Sequence, residues 1–456
     1  MSRVLMISPD PVGQYMAGPG VRSWELAHAL SRYCDVKLAV PNDPPPSSNV
    51  RVVAFDLQGG DLRSLAAESD VIVVRGALLH FHPYLRELGV PLAVDLYIPD
   101  LLESLVWHAS DDPAGWMPAY EEYLRVQLEL LRAGDFFFCA SERQRDYWLG
   151  WLHAQKRLNP YTYRQDPTFR KLIDVVPFGL PSAPPCTASP SLRGVHPEIG
   201  PESKIILWSG GIWDWLDPLT VIRAVARLAP THPELRLYFM GTKPPNPAAA
   251  AMCMADRAIE LSRELGLYGR VVLFGDWVPY DKRVGYLMEA DLAVVSHPNH
   301  IETRFSFRTR VLDCIWAGLP LVVTEGDAMA RMVRAHGIGL TVPPRDAEAM
   351  AEAIEEILYR RGGKPAFAEA FDALRPSLAW EEVVRPLAAF CLHPAPAPDK
   401  GQYLTEVERI SRDKDRLIKA QAEEIARLRE FERTLIRYHR LLPFRVYFWL
   451  KRMLKV

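Results

Sequence analysis

The fold is decided by residues 292–324, which read LAVVSHPNHIETRFSFRTRVLDCIWAGLPLVVT. A short run of small and branched apolar residues opens this stretch, and a second run closes it. The segment Thr309–Ala317 between them has a helical pattern and is followed by Gly318-Leu319-Pro320. Near-continuous apolar runs separated by helices are typical of parallel strands that are covered on both faces. The stretch therefore predicts a strand–helix–strand unit of a parallel sheet.

The same alternation continues outward from this stretch and forms two series. The second series also contains the predicted strands Ile205–Ser209, Leu235–Met240 and Val271–Phe274. The first series contains the predicted strands Val4–Ser8, Val36–Val40, Val52–Phe55, Val71–Val74, Leu92–Asp95, Phe136–Ala140 and Asp174–Val176. Phe178–Lys204, which is rich in Pro, Ser and Gly, separates the two series. Two consecutive α/β units predict an α/β protein with two doubly wound, Rossmann-like domains that face a cleft.

These patterns also give the domain boundaries. Residues 1–180 form the predicted first domain, 181–204 the linker and 205–375 the second domain. Residues 376–392 complete the body, and the Pro-rich segment 393–402 leads into a helical tail at 403–456.

Composition excludes several classes of protein. The 456 residues carry a net charge of −2, so the overall field that attracts nucleic acid is absent. The six cysteines are scattered without a C-x-x-C pair, which disfavours a zinc ribbon or a disulfide framework. The start of the chain lacks the pattern of a signal peptide, and no apolar run reaches the length of a membrane span. We therefore expect a cytoplasmic protein with reduced thiols.

Both predicted domains open with glycines at a strand-to-helix junction, Gly18 and Gly20 in the first and Gly210 and Gly211 in the second. Such glycines let backbone amides approach a ligand, and a following helix N-terminus favours an anion. A tight turn without a ligand is the alternative interpretation. The first junction is not the dinucleotide fingerprint, because Ser23 replaces its last glycine. A nicotinamide enzyme is therefore disfavoured.

Side chains beside the strands of the second domain are candidate ligand contacts. Trp213 and Trp215 follow the glycine pair and could stack on a sugar or seal the loop against the core. Lys243 follows the next strand, where it could meet a diphosphate or remain exposed.

One charged loop follows the buried strand Leu292–Ser296. Glu302, Arg304, Arg308 and Arg310 cluster there, at the start of a helix. Arginines repel a helix N-terminus unless an anion lies between them. The cluster therefore predicts an anion-binding site.

Asp95 ends a strand of the first domain and is a candidate acceptor contact or general base. The alternative is that it caps the following segment Leu101–Trp107. The loop histidines lack the spacing of a helix-borne metal site, so no metal is expected; they are His80, His82, His297 and His300.

Several of these segments resemble a known family. Arg310–Thr324 (RVLDCIWAGLPLVVT) is similar to the donor-site helix and strand of GT-B glycosyltransferases of the retaining family 4 type, the glycosyl transferases group 1. Gly18–Leu30, Val175–Gly179 and Phe274–Pro279 resemble further segments of that family, and the similarity in order and spacing covers residues 1–392. The resemblance implies a GT-B fold whose first domain binds the acceptor and whose second domain binds a nucleotide-sugar. It also implies that residues 376–392 cross back onto the first domain.

The resemblance further assigns donor-site residues. The family's glutamate that meets the donor ribose falls on Asp313, whose shorter carboxylate can still bind a hydroxyl. The family's first glutamate falls on Phe305, which departs from the motif, with Glu302 nearby. The family also carries an Arg and a Lys in the first loop of its second domain. Both are absent from the corresponding loop here, Gly210–Asp217. The predicted donor contacts are Gly18, Gly20, Gly210, Gly211, Trp213, Lys243, Trp277, Val278, Arg304, Ser306 and Asp313.

The implied reaction transfers a sugar, with retention, from a nucleotide-diphosphate sugar to a glycan or lipid-linked acceptor in surface polysaccharide synthesis. The expected diphosphate ligand is Lys243, Arg304 or Arg308, and the expected catalytic residues are Asp95, Glu302 and Arg308. No cofactor or metal is expected. The alternatives are a nucleotide-sugar epimerase on the same fold and a degenerate, non-catalytic GT-B scaffold.

The tail has a composition of its own. Leu404–Leu435 is charged and helical with an incomplete heptad pattern, so a coiled coil and a solvated helix both remain open. Arg433–Val456 combines seven basic residues with aromatic ones and no acidic residue. This segment is expected to contact either an anionic membrane surface at the inner face of the membrane or a protein, including another copy of the chain.

Overall fold

The computed structural model describes residues 1–57, 62–109, 111–187, 189–242, 253–400, 404–439 and 442–454. It divides into two compact units, Met1–Ala397 and Pro398–Val456. The first unit contains two parallel sheets, and the second is helical.

The first sheet has seven strands in the order β3-β2-β1-β4-β5-β6-β7, and every pairing is parallel. Its strands are β1 (Arg3–Ile7), β2 (Asp35–Val40), β3 (Arg51–Ala54), β4 (Val71–Val74), β5 (Leu92–Asp95), β6 (Phe136–Cys139) and β7 (Ile173–Val175). The order reverses between β1 and β4, and such a reversal opens a crevice at the carboxyl ends of the strands.

The second sheet has six strands in the equivalent order β10-β9-β8-β11-β12-β13, again all parallel. Its strands are β8 (Lys204–Gly211), β9 (Leu235–Gly241), β10 (Val272–Phe274), β11 (Leu292–Val295), β12 (Leu321–Thr324) and β13 (Gly339–Val342). The corresponding reversal lies between β8 and β11. The α/β class and the two Rossmann-like sheets predicted from the sequence are thus confirmed.

Helices connect the strands and cover the sheets. The helices of the first series are α1 (Gly18–Leu30), α2 (Arg63–Ala67), α3 (Leu78–Phe81), α4 (Asp100–Trp107), α5 (Pro113–Ala133), α6 (Glu142–Ala154) and α7 (Pro160–Gln165). Those of the second are α8 (Pro218–Leu228), α9 (Cys253–Glu264), α10 (Arg283–Glu289), α11 (Ile301–Phe305), α12 (Arg310–Ala317), α13 (Ala328–His336), α14 (Ala347–Glu355) and α15 (Ala368–Leu374). They are followed by α16 (Trp380–Val383), α17 (Arg385–Leu392), α18 (Leu404–His439) and α19 (Leu442–Met453).

The segment that decided the prediction folds as strand, helix and strand. β11 and β12 are buried along their whole length and pair with each other. The helix α12 between them ends at Gly318, whose φ of 65° is left-handed and suits a residue without a Cβ atom. This glycine turns the chain sharply from the helix into β12.

The last helices of the body pack onto the first sheet's half of the molecule. Trp380 lies so close to Gly179 that a Cβ atom on this glycine would be 2.7 Å from the tryptophan. The ring of Phe390 stacks on that of Phe136 with centroids 5.0 Å apart. The backbone amide of Ala397 donates to Asp135 at 2.8 Å.

Helix α6 also joins the two halves directly. Gln144 Nε2 donates to the carbonyl of Tyr97 at 2.7 Å and to that of Phe305, in the other half, at 2.9 Å. Arg143 Nη1 donates to the carbonyls of Arg304 and Gly326 at 3.2 and 2.6 Å. These bonds hold the loop around α11 against the first domain.

The second unit consists of α18 and α19. The apolar side chains described on these helices are exposed, among them Ile425, Leu435 and Trp449. No helix among the described residues is long and apolar enough to cross a membrane.

Candidate functional site

A cavity of about 180 Å³ lies between the two Rossmann-like domains, at the carboxyl ends of their first strands. In this fold class, the crevice at the reversal of strand order is where ligands bind. Seven of the predicted donor contacts line this cavity: Gly18, Gly210, Gly211, Trp213, Trp277, Val278 and Asp313. Gly210, Gly211 and Trp213 are named from local patterns, whereas Asp313 is named from the family resemblance; their role as donor contacts stays a prediction.

The floor of the cavity is built by the glycine pair at the end of β8. Gly210 has a φ of 98°, which a residue with a side chain rarely adopts. A Cβ atom on Gly211 would lie 3.0 Å from both Trp213 and Trp277. Trp213 stacks on Trp215 with centroids 5.5 Å apart and planes 4° from parallel. Trp213 thus faces the cavity, while Trp215 supports it from behind.

Arg310 places a positive charge in the cavity wall, and no carboxylate of the described residues pairs with it. Its Nη2 donates to the carbonyl of Gly211 at 3.0 Å, and the guanidinium lies 5.2 Å from the ring centre of Trp208. Its Nη1 is buried and has no hydrogen-bond partner among the described residues. Burial, with a smaller effect of Arg308, lowers the pKa of Arg310 to about 9. A guanidinium in this setting fits an anionic ligand, because an anion would supply both the missing acceptor and the missing charge.

Asp313 lies one helical turn beyond Arg310, and Arg283 of helix α10 orients its side chain. Arg283 Nε donates to Asp313 Oδ1 at 3.1 Å, and the side chain of Asp313 remains 32% exposed. The Arg283 guanidinium lies over the ring of Tyr280, 3.6 Å from its centre. Asp313 is therefore oriented towards the cavity with enough exposed surface to accept a hydrogen bond from a ligand.

Tyr280 connects this wall to the first domain. Its hydroxyl donates to Glu25 Oε1 on α1 at 2.6 Å. Burial raises the pKa of Glu25, while the bond from Tyr280 and the charge of Arg283 act in the opposite direction. The backbone amide of Tyr280 also donates to the carbonyl of Gln14 at 2.9 Å. The cavity is thus spanned by contacts between the domains.

The two glycines of the first junction have different positions. Gly18 begins α1 and lines the cavity. Gly20 is outside the cavity wall, and a Cβ atom there would lie only 2.4 Å from the carbonyl oxygen of Pro11. Gly20 is therefore needed for a close approach of the backbone, and its predicted donor contact does not fit this position.

Asp95 lies beneath the cleft in a buried ion pair, and this corrects the expectation that it acts as a base. Arg22 Nε donates to Asp95 Oδ2 at 2.6 Å and Arg22 Nη2 to Oδ1 at 3.0 Å. Oδ1 also accepts from the amide of Tyr97 at 3.2 Å. Both residues are less than a tenth exposed. The carboxylate is engaged on both oxygens, so it positions Arg22 and the Tyr97 loop instead of meeting an acceptor.

Glu302 and Arg308 form a second buried pair, with 2.6 Å between Oε2 and Nη2. Neither lines the cavity between the domains. Arg308 Nε and Glu302 Oε1 have no partner among the described residues. Because Arg308 is neutralised by Glu302, the expectation that it meets the diphosphate does not fit this geometry.

The remaining predicted contacts lie elsewhere. Arg304 is exposed on α11, outside the cavity wall, and Ser306 is buried with its hydroxyl donating to the carbonyl of Thr303 at 3.0 Å. Lys243 lies outside the described residues. Within the described ranges, the structure contains no group of three His, Cys, Asp or Glu side chains that could hold a metal ion.

Phe305 occupies the interface between the domains. Its ring packs on Tyr147 of α6 with centroids 4.9 Å apart. The aromatic ring of Phe305 therefore joins the two domains. A glutamate at this position would place a carboxylate in that contact instead. Phe305 contributes to the site through the position of its loop.

The fold and the cavity define a GT-B protein, with two Rossmann-like domains and a ligand crevice between them. Solved structures of this fold match most of the chain. Sucrose-phosphate synthase of Thermosynechococcus elongatus is 19% identical, with a TM-score of 0.60, and the match covers 86% of this chain and 98% of that one. Alr3699/HepE of Anabaena in complex with UDP-glucose is 15% identical, with a TM-score of 0.62 and 85% and 99% coverage.

The match to a family model lies in the second domain. Residues 203–360 match the model described as glycosyl transferases group 1, so the chain contains a glycosyltransferase domain of this type. D-inositol 3-phosphate glycosyltransferase of Acidothermus cellulolyticus is 26% identical over 210 residues. That match covers 46% of this chain and 44% of the relative, so it spans less than half of the curated protein. The predicted GT-B, group 1 resemblance is confirmed.

Proposed function

We propose that the protein is a glycosyltransferase that moves a sugar from a nucleotide-diphosphate sugar to a glycan or glycoconjugate acceptor. The observation that carries this proposal is the Arg310 guanidinium beside the Gly210–Gly211 turn, whose Nη1 has no hydrogen-bond partner in the part of the chain that the structure describes. An anion with an attached hydroxylated group fits a wall made of this charge, two backbone turns and Asp313. The complex of the Anabaena relative with UDP-glucose supports a UDP-sugar as the donor.

The side chains would act mainly on the leaving group. Arg310 would bind the diphosphate of the donor, and Asp313 would accept a hydrogen bond from the ribose. The bond from the anomeric carbon to the diphosphate oxygen breaks as the acceptor oxygen bonds to that carbon, and the acceptor proton passes to the departing diphosphate. Arg310 stabilises the negative charge that grows on this diphosphate. Retention at the anomeric carbon is part of the proposal and rests on the family resemblance.

Glu302 and Arg308 have a positioning role in this account. Their buried ion pair fixes the loop from α11 to Arg310, because Glu302 lies on α11 and Arg308 lies two residues before Arg310. The hydrogen bonds from α6 hold the same loop from the other domain. The loop therefore presents Arg310 to the cavity in one orientation.

The test combines nucleotide binding with product analysis. Isothermal titration of the full chain with UDP, GDP, ADP and dTDP identifies the nucleotide, and incubation with the matching sugars and an acceptor mixture follows. A glycosyltransferase gives a glycosylated acceptor and free nucleoside diphosphate. A product that is an isomeric nucleotide-sugar without any acceptor would indicate an epimerase. Nucleotide binding without turnover of any sugar would indicate a non-catalytic scaffold.

We also propose that the acceptor belongs to surface polysaccharide or glycoconjugate synthesis and that the enzyme works on a membrane surface. WaaG, a glycosyltransferase involved in lipopolysaccharide biosynthesis, shares the fold at a TM-score of 0.58 and 15% identity, covering 86% of this chain and all of that one. Within the chain, this proposal rests on the tail helix α19.

Helix α19 is amphipathic with a basic face. At about 100° per residue, Trp449, Val446, Leu450 and Tyr447 fall on one arc, and Met453 and Leu454 lie within it. Arg445, Lys451 and Arg452 lie on the opposite arc, which also carries the ring of Phe448. Trp449 and Tyr447 stand at the two edges of the apolar arc, where aromatic rings meet the headgroups of a membrane. A helix of this kind binds in the interface of anionic lipid.

Deleting residues 401–456 is expected to leave a folded body and to abolish binding to anionic vesicles. The body keeps both sheets and their helices, because the deleted residues belong to the second unit. Co-sedimentation with vesicles of phosphatidylglycerol and phosphatidylcholine, together with circular dichroism, measures both effects. Reversing Arg445, Lys451 and Arg452 to glutamate in the full chain should also abolish sedimentation.

Three outcomes would contradict this expectation. The truncated body would aggregate if the tail were part of its core. Equal binding to purely zwitterionic vesicles would show that the basic face has no role. Self-association of the full chain without any vesicle binding would identify the tail as an oligomer contact.

A further inference from the structure

The first domain contains a second cavity, of about 460 Å³. It lies at the carboxyl ends of β1 and β4 and is enclosed by α3, α4 and α5. Helix α4 contacts α11, which carries Glu302, so the cavity adjoins the part of the second domain that leads to Arg310. An acceptor bound here would be next to the donor domain.

One wall of this cavity is aromatic. Phe81, Trp107 and Tyr123 line it and remain 39%, 36% and 50% exposed. The buried side chains of Leu101 and Leu130 also line the cavity. Large aromatic side chains that stay exposed around a concave site are suited to cover an apolar ligand surface.

The charges of the cavity disfavour an anionic ligand. Arg75 is in the wall, but its Nη1 is paired with Asp10 Oδ2 at 2.8 Å, and its guanidinium lies 5.0 Å from the ring centre of Tyr97. The carboxyl groups of Asp100 and Glu122 also line the cavity. A phosphate group would therefore meet carboxyl groups and a cation that is already neutralised.

Two further polar side chains, Gln127 and Glu103, line the same cavity. Gln127 is 5% exposed and lines the cavity, and its Nε2 has no partner among the described residues. Burial, with a smaller effect of the Glu302 carboxylate, raises the pKa of Glu103 to about 8. The Glu103 carboxyl is thus mostly protonated at neutral pH, so it can donate as well as accept a hydrogen bond. Both groups fit the hydroxyls of an uncharged polyol.

We propose that this cavity is the acceptor site and that it takes an uncharged glycoside whose apolar aglycone lies on Phe81, Trp107 and Tyr123. Gln127 and Glu103 would bind sugar hydroxyls. This inference rests on the proposed function and deepens it, because it selects neutral glycosides over phosphorylated sugars. The name of the Acidothermus relative indicates a phosphorylated acceptor for that protein. We expect this cavity to reject such an acceptor.

The test is isothermal titration of the full chain, saturated with UDP, with 4-nitrophenyl β-D-glucopyranoside and with glucose 6-phosphate. We expect saturable binding of the aryl glucoside and no binding of glucose 6-phosphate. Trp107→Ala should weaken the aryl glucoside about tenfold, since aromatic contacts of this kind contribute about that factor. Gln127→Leu should weaken it severalfold. Leu105→Ala is the control, because Leu105 is on the same helix, is exposed and is outside the cavity wall.

Glucose 6-phosphate binding as tightly as the aryl glucoside would overturn this inference. Aryl glucoside binding that neither Trp107→Ala nor Gln127→Leu changes would overturn it as well. Nucleotide binding distinguishes a failure of the acceptor assignment from a failure of the proposed function. Chains that bind UDP but not the aryl glucoside contradict only the acceptor assignment, whereas chains that bind none of the nucleoside diphosphates contradict the proposed function.

Discussion

Replacing Arg310 by methionine is expected to lower the affinity for the nucleoside diphosphate by about a hundredfold, because a charge-assisted contact to a buried anion contributes about 2 to 3 kcal/mol. Methionine keeps the apolar stem of the side chain beside Trp208 and removes the guanidinium. Isothermal titration with UDP measures the effect. Initial rates with the UDP-sugar should fall at least as far, since Arg310 would also stabilise the charge of the leaving diphosphate.

Two matched variants make this result specific. Arg304→Gln removes an arginine of the same loop that is exposed and outside the cavity wall, and it should leave UDP binding unchanged. Arg310→Lys should recover part of the affinity, because an ammonium keeps the charge but loses the planar fork. If Arg304→Gln weakened UDP binding as much as Arg310→Met does, the specific role of Arg310 would be contradicted.

Replacing Asp95 by alanine is expected to destabilise the first domain by about 3 to 5 kcal/mol, because Arg22 would be left as an unpaired charge in the interior. For a domain of this size, that loss lowers the melting temperature by roughly 10 °C. Differential scanning fluorimetry or calorimetry of the full chain measures the shift. Asp70→Ala is the control: its partner Arg3 is at the surface, where the loss of an ion pair has little effect on the melting temperature.

The same variant separates a structural role of Asp95 from a catalytic one. A general base would show a loss of turnover well below the melting temperature with little change in stability. We expect the reverse, namely an early melting transition and nucleotide binding that persists at low temperature. An unchanged melting temperature would contradict the positioning role that the Arg22 pair indicates.

Local patterns were sufficient to predict most strands of the two sheets and the glycine turn at the end of β8. Strands such as β11 and β12 are buried on both faces, so their composition alone distinguishes them from helices. Gly210 and Gly211 were found because a strand followed by glycines and then a helix marks the end of a sheet where ligands bind. By contrast, β13 was not predicted. Its residues are mostly half-buried and include a glycine and a threonine, so the apolar run is weak.

The roles of the charged residues depend on long-range contacts, which cannot be inferred from the spacing of residues along the sequence. Arg308 and Arg310 are two residues apart, yet one is neutralised by Glu302 and the other reaches the glycine turn. Asp95 is paired with Arg22, 73 positions away, and this distance hides the pair from any local pattern. The alternation of strands and helices is read locally, whereas the pairing of charges is decided by how distant segments meet.

Some residues of the site were missed altogether. Arg283 and Tyr280 stand at the two ends of the run Tyr280-Asp281-Lys282-Arg283. Mixed charges at the start of a helix are also typical of a solvated face, so this run did not mark either residue as part of the site. Arg310 was named in the charged cluster, and its place beside Thr309 at the start of a helix was the signal that could have selected it. The departure at Phe305 was visible, but its packing on Tyr147 was not.

The central claim is that Arg310 binds the diphosphate of a nucleotide-sugar between the two domains. A crystal structure of the full chain with UDP tests it most directly. We expect diphosphate oxygens within hydrogen-bonding distance of the Arg310 guanidinium and the Gly210–Gly211 turn, with a ribose hydroxyl on Asp313. A diphosphate bound away from this cavity, or bound there with Arg310 turned aside, would contradict the claim.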